Sequence, residues 1–451
     1  MNHLLKLKRD IGLFGTTAYI LGVIIGAGIY VIIGKTAGIT GNSIWLSFLI
    51  AAVIAACTGL SYAELASTFP YDSAEYLYSQ RSFRDRRFSF GVAWLKLISL
   101  VIGISAVALG FGGYLSSLIG LNHILGALLL LVLLTVFNLV GVKQAIGFDI
   151  AMVLIAIAGL LLVIGIGMPH IQAPEFYWEM PHGFSGVLTG AALIFFAFLG
   201  FENIGNLSEE VKDPKRTLPI ALIASVLIST VLYILVAIVS VSVIPWDQLA
   251  DSTAPLSDVM TVLIGSKAGM LMAVMALAAT ASTVLGLMIG SSRMIYGLAE
   301  ENSMPKIFLK VTKKGRAPYV AVIAVAIIAA IFIIPGEITS IAFLTNFGAM
   351  FVFLVVNLCV IVLRYSHDHI TRAFQVPGRI GKFPIIPAIG ILTCAGLLFS
   401  FEKKMFFGGI LLFLVGLVLY SMFGERKRAP EATGSAHKLV VSNPKAKSKK
   451  K

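Results

Sequence analysis

Charge is scarce in this sequence. Only 13% of its 451 residues are Asp, Glu, Lys or Arg, while 58% are hydrophobic and the mean hydropathy is +0.93. A soluble domain carries about a quarter charged residues, so a soluble fold is excluded and a polytopic membrane protein is expected. Cysteine is nearly absent: Cys57, Cys359 and Cys394 all fall in apolar segments. They offer neither a disulfide framework nor zinc-ligand spacing. The seven histidines lie in loops or termini, which leaves no histidine relay at membrane depth. No repeated filter or ring of charge suggests a channel. No nucleophile with its base, and no cluster of metal ligands, suggests a membrane enzyme. A receptor would carry no net solute flux.

The few charges are unevenly placed. With the N-terminus in the cytoplasm and about twelve crossings, all but four of the 35 lysines and arginines fall on the inner side, the exceptions being Lys35, Lys267, Lys403 and Lys404. That asymmetry supports both the count and cytoplasmic N- and C-termini. The net charge of +13 is thus spread over loops and a tail, and implies no nucleic acid partner. The opening MNHLLKLKRD lacks a small-residue cleavage pattern, so residues 1–11 are read as a cytoplasmic N-terminus before an uncleaved first span. Spans are expected near 12–35, 42–67, 89–118, 122–141, 147–168, 185–208, 218–244, 267–299, 318–334, 338–363, 384–401 and 405–423. A basic tail, 424–451, ends KAKSKKK and reads as solvated chain drawn weakly to anionic lipid.

Two apolar runs are interrupted. GVIIGAGIY, Gly22 to Tyr30, carries three glycines within seven residues of a segment long enough to span. A helix broken there frees N–H and C=O groups, which at membrane depth must line a cavity and meet polar ligands. The competing reading is close helix packing through Gly26, Ala27 and Gly28. The sixth segment repeats the feature: in LIFFAFLGFENIGNLSEE, Gly200 interrupts the run and Glu202 and Asn203 follow. Two interrupted helices, each opening a block of five spans, predict an all-α membrane fold made of a 5+5 inverted repeat with discontinuous helices 1 and 6. The blocks are 12–168 and 185–363, with two further helices in 384–423. Half-helix ends meeting near the midplane favour a carboxylate at the N-terminal dipole and an ammonium at free carbonyls, which suits a zwitterionic amino acid.

These residues also resemble the amino acid, polyamine and organocation (APC) transporters, which have a leucine-transporter-like fold. The resemblance runs over residues 8 to 425, through GVIIGAGIY, YAELASTFPYDSAEYLY (Tyr62 to Tyr78), GFENIGNLSEEVKDPKRTLP (Gly200 to Pro219), SRMIYGLAEENSMP (Ser292 to Pro305) and LTNFGAMFVFLVVNLCVIVLR. It implies a secondary active amino acid permease of the plasma membrane, with no cofactor and no catalytic residue, working by alternating access. The substrate carboxylate would meet the amides of Ala27 and Gly28, and its ammonium the carbonyls of Ile24, Phe196 and Leu199. Phe196 stands where relatives place an aromatic gate, although it is also one phenylalanine among 29. Gly26 and Gly200 are expected to leave room for the ligand.

Glu202 is costly at membrane depth and is expected to act, either carrying a coupled proton or bracing the broken helices. Asp149 reads as interfacial; Glu64 and Glu75 read as structural and available to nearby arginines. A lysine that some relatives carry in helix 5 aligns with Ala156, so no fixed cation is expected there. Ser282 and Thr283 match the hydroxyls that complete a sodium site in relatives, with carbonyls of Gly22, Ile25 and Ala279. The alternative is that both hydroxyls bond carbonyls one turn back in their own helix. Ile29 offers no oxygen for a second ion. The coupling ion therefore stays open between sodium and a proton, with exchange a further alternative. A lining of Ala, Val, Ile, Leu, Phe and Gly suits a neutral, apolar substrate side chain. The partners expected are an amino acid, a coupling ion and the bilayer; the sequence does not give an oligomeric state.

Overall fold

A computed structural model describes residues 11–69, 74–140, 143–203, 211–312, 317–366, 372 and 374–424, with backbone alone at 74, 140, 143–150 and 203. The N-terminal residues 1–10, the tail from Glu425, residues 204–210 of the sixth segment and the side chain of Asp149 lie outside that description.

The described chain is helical apart from a hairpin of two-residue strands, Arg379–Ile380 against Phe383–Pro384. In order the helices are α1 (Leu13–Ile24), α2 (Gly28–Thr40), α3 (Ile44–Thr68), α4 (Ala74–Phe83), α5 (Arg86–Ile119), α6 (His123–Val140), α7 (Lys143–Gly167) and α8 (Gly183–Ile194). Then come α9 (Pro214–Val243), α10 (Trp246–Asp251), α11 (Pro255–Ile264), α12 (Ser266–Glu300), α13 (Tyr319–Ile333), α14 (Ile338–Ser366), α15 (Ile385–Phe399) and α16 (Lys403–Phe423). Among the described residues, seven helical stretches are long and apolar enough to cross a membrane, and six further apolar helices are shorter. Among the short ones are α1 and α8, each stopping at an interruption read from the sequence. The stretch after Pro245, expected as a loop, instead forms α10 and α11.

Hydrophobicity all round a helix means burial or lipid on every side, and the two cases are visible here. The most apolar window of α5 is 94% buried, that of α16 only 17%. Helices α6, α12, α13, α14 and α16 pack around α5, which makes it the axis of the bundle. Its start is fixed locally: the Asp85 carboxylate accepts from the amides of Arg87 and Phe88, a helix N-cap. Its far end turns at Gly120, whose φ of +69° lies in the left-handed region that glycine tolerates. The large apolar side chains left exposed, such as Leu133 on α6, Leu227 on α9 and Ile331 on α13, face outward where lipid would lie.

At one end of the bundle Glu64 closes α3 against the end of α14. Its carboxylate takes two hydrogen bonds from Arg364, from Nε at 3.0 Å and from the guanidinium NH2, and a third from the Val376 amide at 2.7 Å. Arg372 approaches to 3.5 Å. The expectation that Glu64 pairs with arginines is met. Glu75 instead accepts a hydrogen bond from the Tyr62 hydroxyl at 3.0 Å. Removing one partner of a buried, hydrogen-bonded pair strands the other charge and costs about 3–5 kcal/mol. Arg364→Met should therefore lower the thermal midpoint of the detergent-solubilised protein, and Glu64→Leu with Arg364→Met should recover part of the loss.

Candidate functional site

The first interruption is a real break. Ile25 leaves helical geometry at ψ 66°, and the amide of Gly26 turns back to the carbonyl of Ile24 at 2.8 Å. The helix resumes at Gly28 with Ala27 as its N-cap residue. Freed groups here need partners, and α12 supplies one: Thr283 Oγ1 accepts the Ala27 amide at 3.0 Å while donating to the carbonyl of Ala279 at 3.0 Å. The approach is close, since a Cβ at Gly26 would stand 2.6 Å from Thr283 Oγ1.

The second break follows α8. A tight turn, Phe195–Phe198, leads to Gly200 at φ +122°, a conformation that a side chain rarely adopts. The Gly200 amide is held by Glu202 Oε2 at 2.8 Å. The two breaks press on each other. A Cβ at Gly28 would lie 2.5 Å from Ala197 Cα, and one at Gly200 would lie 2.7 Å from Val23 Cγ1. What crowds these glycines in this arrangement is the opposite broken segment; at Gly26 it is Thr283.

Three side chains outside the breaks complete the hydrogen bonding. Tyr233 of α9, fully buried, stands 2.8 Å from the carbonyl of Ile24 and 3.1 Å from that of Ala197, so its single proton can serve either segment. Asn346 of α14 donates both amide hydrogens to the end of α8, at Ala192 (2.7 Å) and Leu193 (2.9 Å). Lys96 of α5 donates to Glu202 Oε1 at 2.5 Å, and both residues are only 5% exposed. Its ammonium also lies 5.7 Å from the Phe353 ring centroid, within cation–π range.

The residues read from the sequence converge on this region in part. Ile24, Gly26, Ala27, Gly28, Phe196, Leu199 and Gly200 line the two touching segments, and Ala279 and Thr283 sit against the first of them. Ser282 is buried on the same helix at 4% exposure. Gly22 lies farther along α1, with Val153 of α7 beside it, and Ile25 marks the break itself. Phe196 is 6% exposed, so it does not face lipid; Gly103 of α5 stands beside it. The carbonyl of Ala156 accepts from the Tyr30 hydroxyl at 2.5 Å.

Sequence reading missed Tyr233, Asn346 and Lys96. Lys96 is legible: a lysine within FGVAWLKLISL meets the criterion that singles out Glu202, although within a span near its inner end it counts toward the inner-side charge. Tyr233 carries no such signal, being one of 13 tyrosines. A recess of about 310 Å³ lined by Tyr76, Gln80, Arg86, Glu301 and Ser303 lies apart from the breaks, beside the end of α16. Burial and the neighbouring Glu300 push the Glu301 carboxyl there above its usual range.

Tyr233→Phe tests the strut. It removes the one donor that the Ile24 and Ala197 carbonyls share, and a lost hydrogen bond between membrane helices costs about 0.6–2 kcal/mol. The variant should keep its helical circular dichroism and unfold at a lower temperature in detergent.

Comparison with known proteins accords with this architecture. The sequence model described as amino acid permease matches residues 11–423. The branched-chain amino acid permease BcaP of Bacillus subtilis is 29% identical over 442 residues, covering 93% of this chain and 94% of the relative. The methylthioribose transporter of the same organism is 29% identical over 441 residues, with the same coverage. A vacuolar cationic amino acid transporter 4 from Arabidopsis thaliana is 29% identical over 400 residues, covering 80% of this chain and 65% of the relative. The chain belongs to the amino acid permease family, and is a multi-pass membrane transporter rather than an enzyme.

Proposed function

We propose that the protein is a secondary active permease that moves a neutral amino acid with an apolar side chain across the plasma membrane by alternating access. Twelve spans and two inverted blocks of five, with both termini cytoplasmic, complete that reading. The observation that carries it is the meeting of the two breaks, where protein side chains occupy two of the polar positions a zwitterion would use, the Ala27 amide and the Ile24 carbonyl. Thr283 takes the Ala27 amide, and Tyr233 donates toward the Ile24 and Ala197 carbonyls. A substrate carboxylate would replace Thr283 at the amide of Ala27 and take that of Gly28 as well. Its ammonium would compete with Tyr233 for Ile24 and take the carbonyls of Phe196 and Leu199. Because one set of partners exchanges for another, no backbone group need be left unpaired at membrane depth.

The same exchange gives coupling a physical route. Once Ala27 turns to the substrate, Thr283 Oγ1 has a lone pair available for a hard cation, beside Ser282 and the carbonyls of Gly22, Ile25 and Ala279. Sodium prefers such uncharged oxygens; each ligand would then raise the affinity of the other. Glu202, paired with Lys96, serves as the brace of the second break. A neutral substrate is supported by the apolar surroundings of Phe196 and by the branched-chain substrate in the name of one relative.

Uptake of labelled amino acids into proteoliposomes, with sodium and proton gradients imposed on matched samples, tests this reading. Leucine, isoleucine or valine should enter under a sodium gradient. Stimulation by protons alone would remove the sodium site, and failure of every amino acid to enter would overturn the function. Gly26→Leu should abolish uptake at normal expression, since its side chain would collide with Thr283. Ser282→Ala with Thr283→Ala should abolish sodium stimulation; unchanged stimulation would place the ion elsewhere.

A further inference from the structure

Lys96 and Gly103 are seven residues apart on α5, two helical turns or roughly 10 Å along one face. That face runs beside the second break. A Cβ at Gly103 would stand 3.9 Å from the Phe196 ring and 3.4 Å from Thr345, while Lys96 is paired with Glu202. Glu202 in turn holds the amide of Gly200, so its negative charge belongs to the break itself. The rings around the pair carry no charge: Phe353 lies under the ammonium, and Phe201 and Tyr62 pack on Phe353 with centroids 5.1 and 5.8 Å away. Another carboxylate nearby, Glu75, is on the far side of Tyr62, whose hydroxyl donates to it.

We propose that Lys96 sets the charge class of the substrate, by cancelling the carboxylate that would otherwise make the break attract a second cationic group. This inference rests on the reading of the breaks as the substrate site. For a substrate side chain seated beside Phe196 and Gly103, the Lys96-to-Gly103 rise puts a lone Glu202 carboxylate roughly 10 Å away, which at an effective dielectric near 20 would change the affinity for a unit positive charge by more than about tenfold. Lys96 removes that attraction at its source. It is a positioning residue, acting on the substrate through Glu202 and the local potential rather than by contact. A merely structural lysine would leave selectivity alone when replaced, and only stability would fall.

The test compares leucine and arginine uptake into proteoliposomes for the wild-type chain, Lys96→Met, and Lys96→Met with Glu202→Met. Wild type is expected to take up leucine and exclude arginine. Lys96→Met should shift the arginine-to-leucine ratio at least about tenfold toward arginine, and the double variant should exclude arginine again. An unchanged ratio in a folded Lys96→Met overturns the inference and leaves the permease reading intact. Wild type that transports no amino acid overturns the permease reading, and the inference with it. Should Lys96→Met fail to fold, Lys96→Gln carries the same comparison, since it keeps a donor toward Glu202 without the charge. If both single variants fail to fold while the double variant folds and transports leucine, the pair is a brace alone and the inference is overturned.

Discussion

A polypeptide that breaks a helix inside a bilayer must find partners for every amide and carbonyl it frees, because no bulk water is present to solvate them. Much of this structure answers that demand. The break at Ile25 to Ala27 takes a threonine hydroxyl from α12; the break at Leu199 and Gly200 takes a carboxylate from its own chain two residues on. Tyr233 reaches both segments from α9, and Asn346 holds the end of α8 from α14. Three helices distant in sequence, α9, α12 and α14, are thereby tied to peptide groups in or just ahead of the breaks. Each tie is worth little alone, but leaving a group unpaired in this medium costs several kcal/mol.

The buried charges follow the same logic on a larger scale. Glu64 is satisfied at one end of the bundle by Arg364, Arg372 and a backbone amide, an arrangement dense enough to offset desolvation. Glu202 has only Lys96 and the Gly200 amide among its described contacts, and it lies at the break rather than at the rim. A minimal pair at a place expected to move differs from a saturated cluster at a place expected to hold. The first is suited to governing potential near a ligand, the second to fixing the helices around it.

Much of the site was legible in the chain. Gly26, Gly28 and Gly200 mark the breaks because glycine tolerates both the backbone conformation and the close approach found there, although the neighbour that demands the missing side chain is protein in this arrangement. Glu202 was visible through its cost. Lys96 was equally costly, but its proximity to basic loop residues made it resemble a topological charge. Tyr233 and Asn346 could not be singled out, since a tyrosine in a membrane helix or an asparagine beside threonine and phenylalanine has many unremarkable uses. Their role depends on which carbonyl faces them across the bundle.

Composition, the spacing of apolar runs and two glycine interruptions determined that this chain is a helical membrane protein whose first helix breaks at Ile25 to Ala27 and whose α8 ends ahead of Gly200, because hydrophobic length and backbone satisfaction are local properties. The location of the breaks was likewise fixed by residues within a single turn of them. Tertiary structure alone decided that the breaks touch, that Tyr233 and Thr283 fill some of their open positions, and that Lys96 provides the positive charge beside Glu202. Those outcomes depend on the rotation and depth of α5, α9 and α12 against the broken segments. Helix packing sets both, and a hydrophobic pattern with lipid and protein equally apolar on either side carries little information about them.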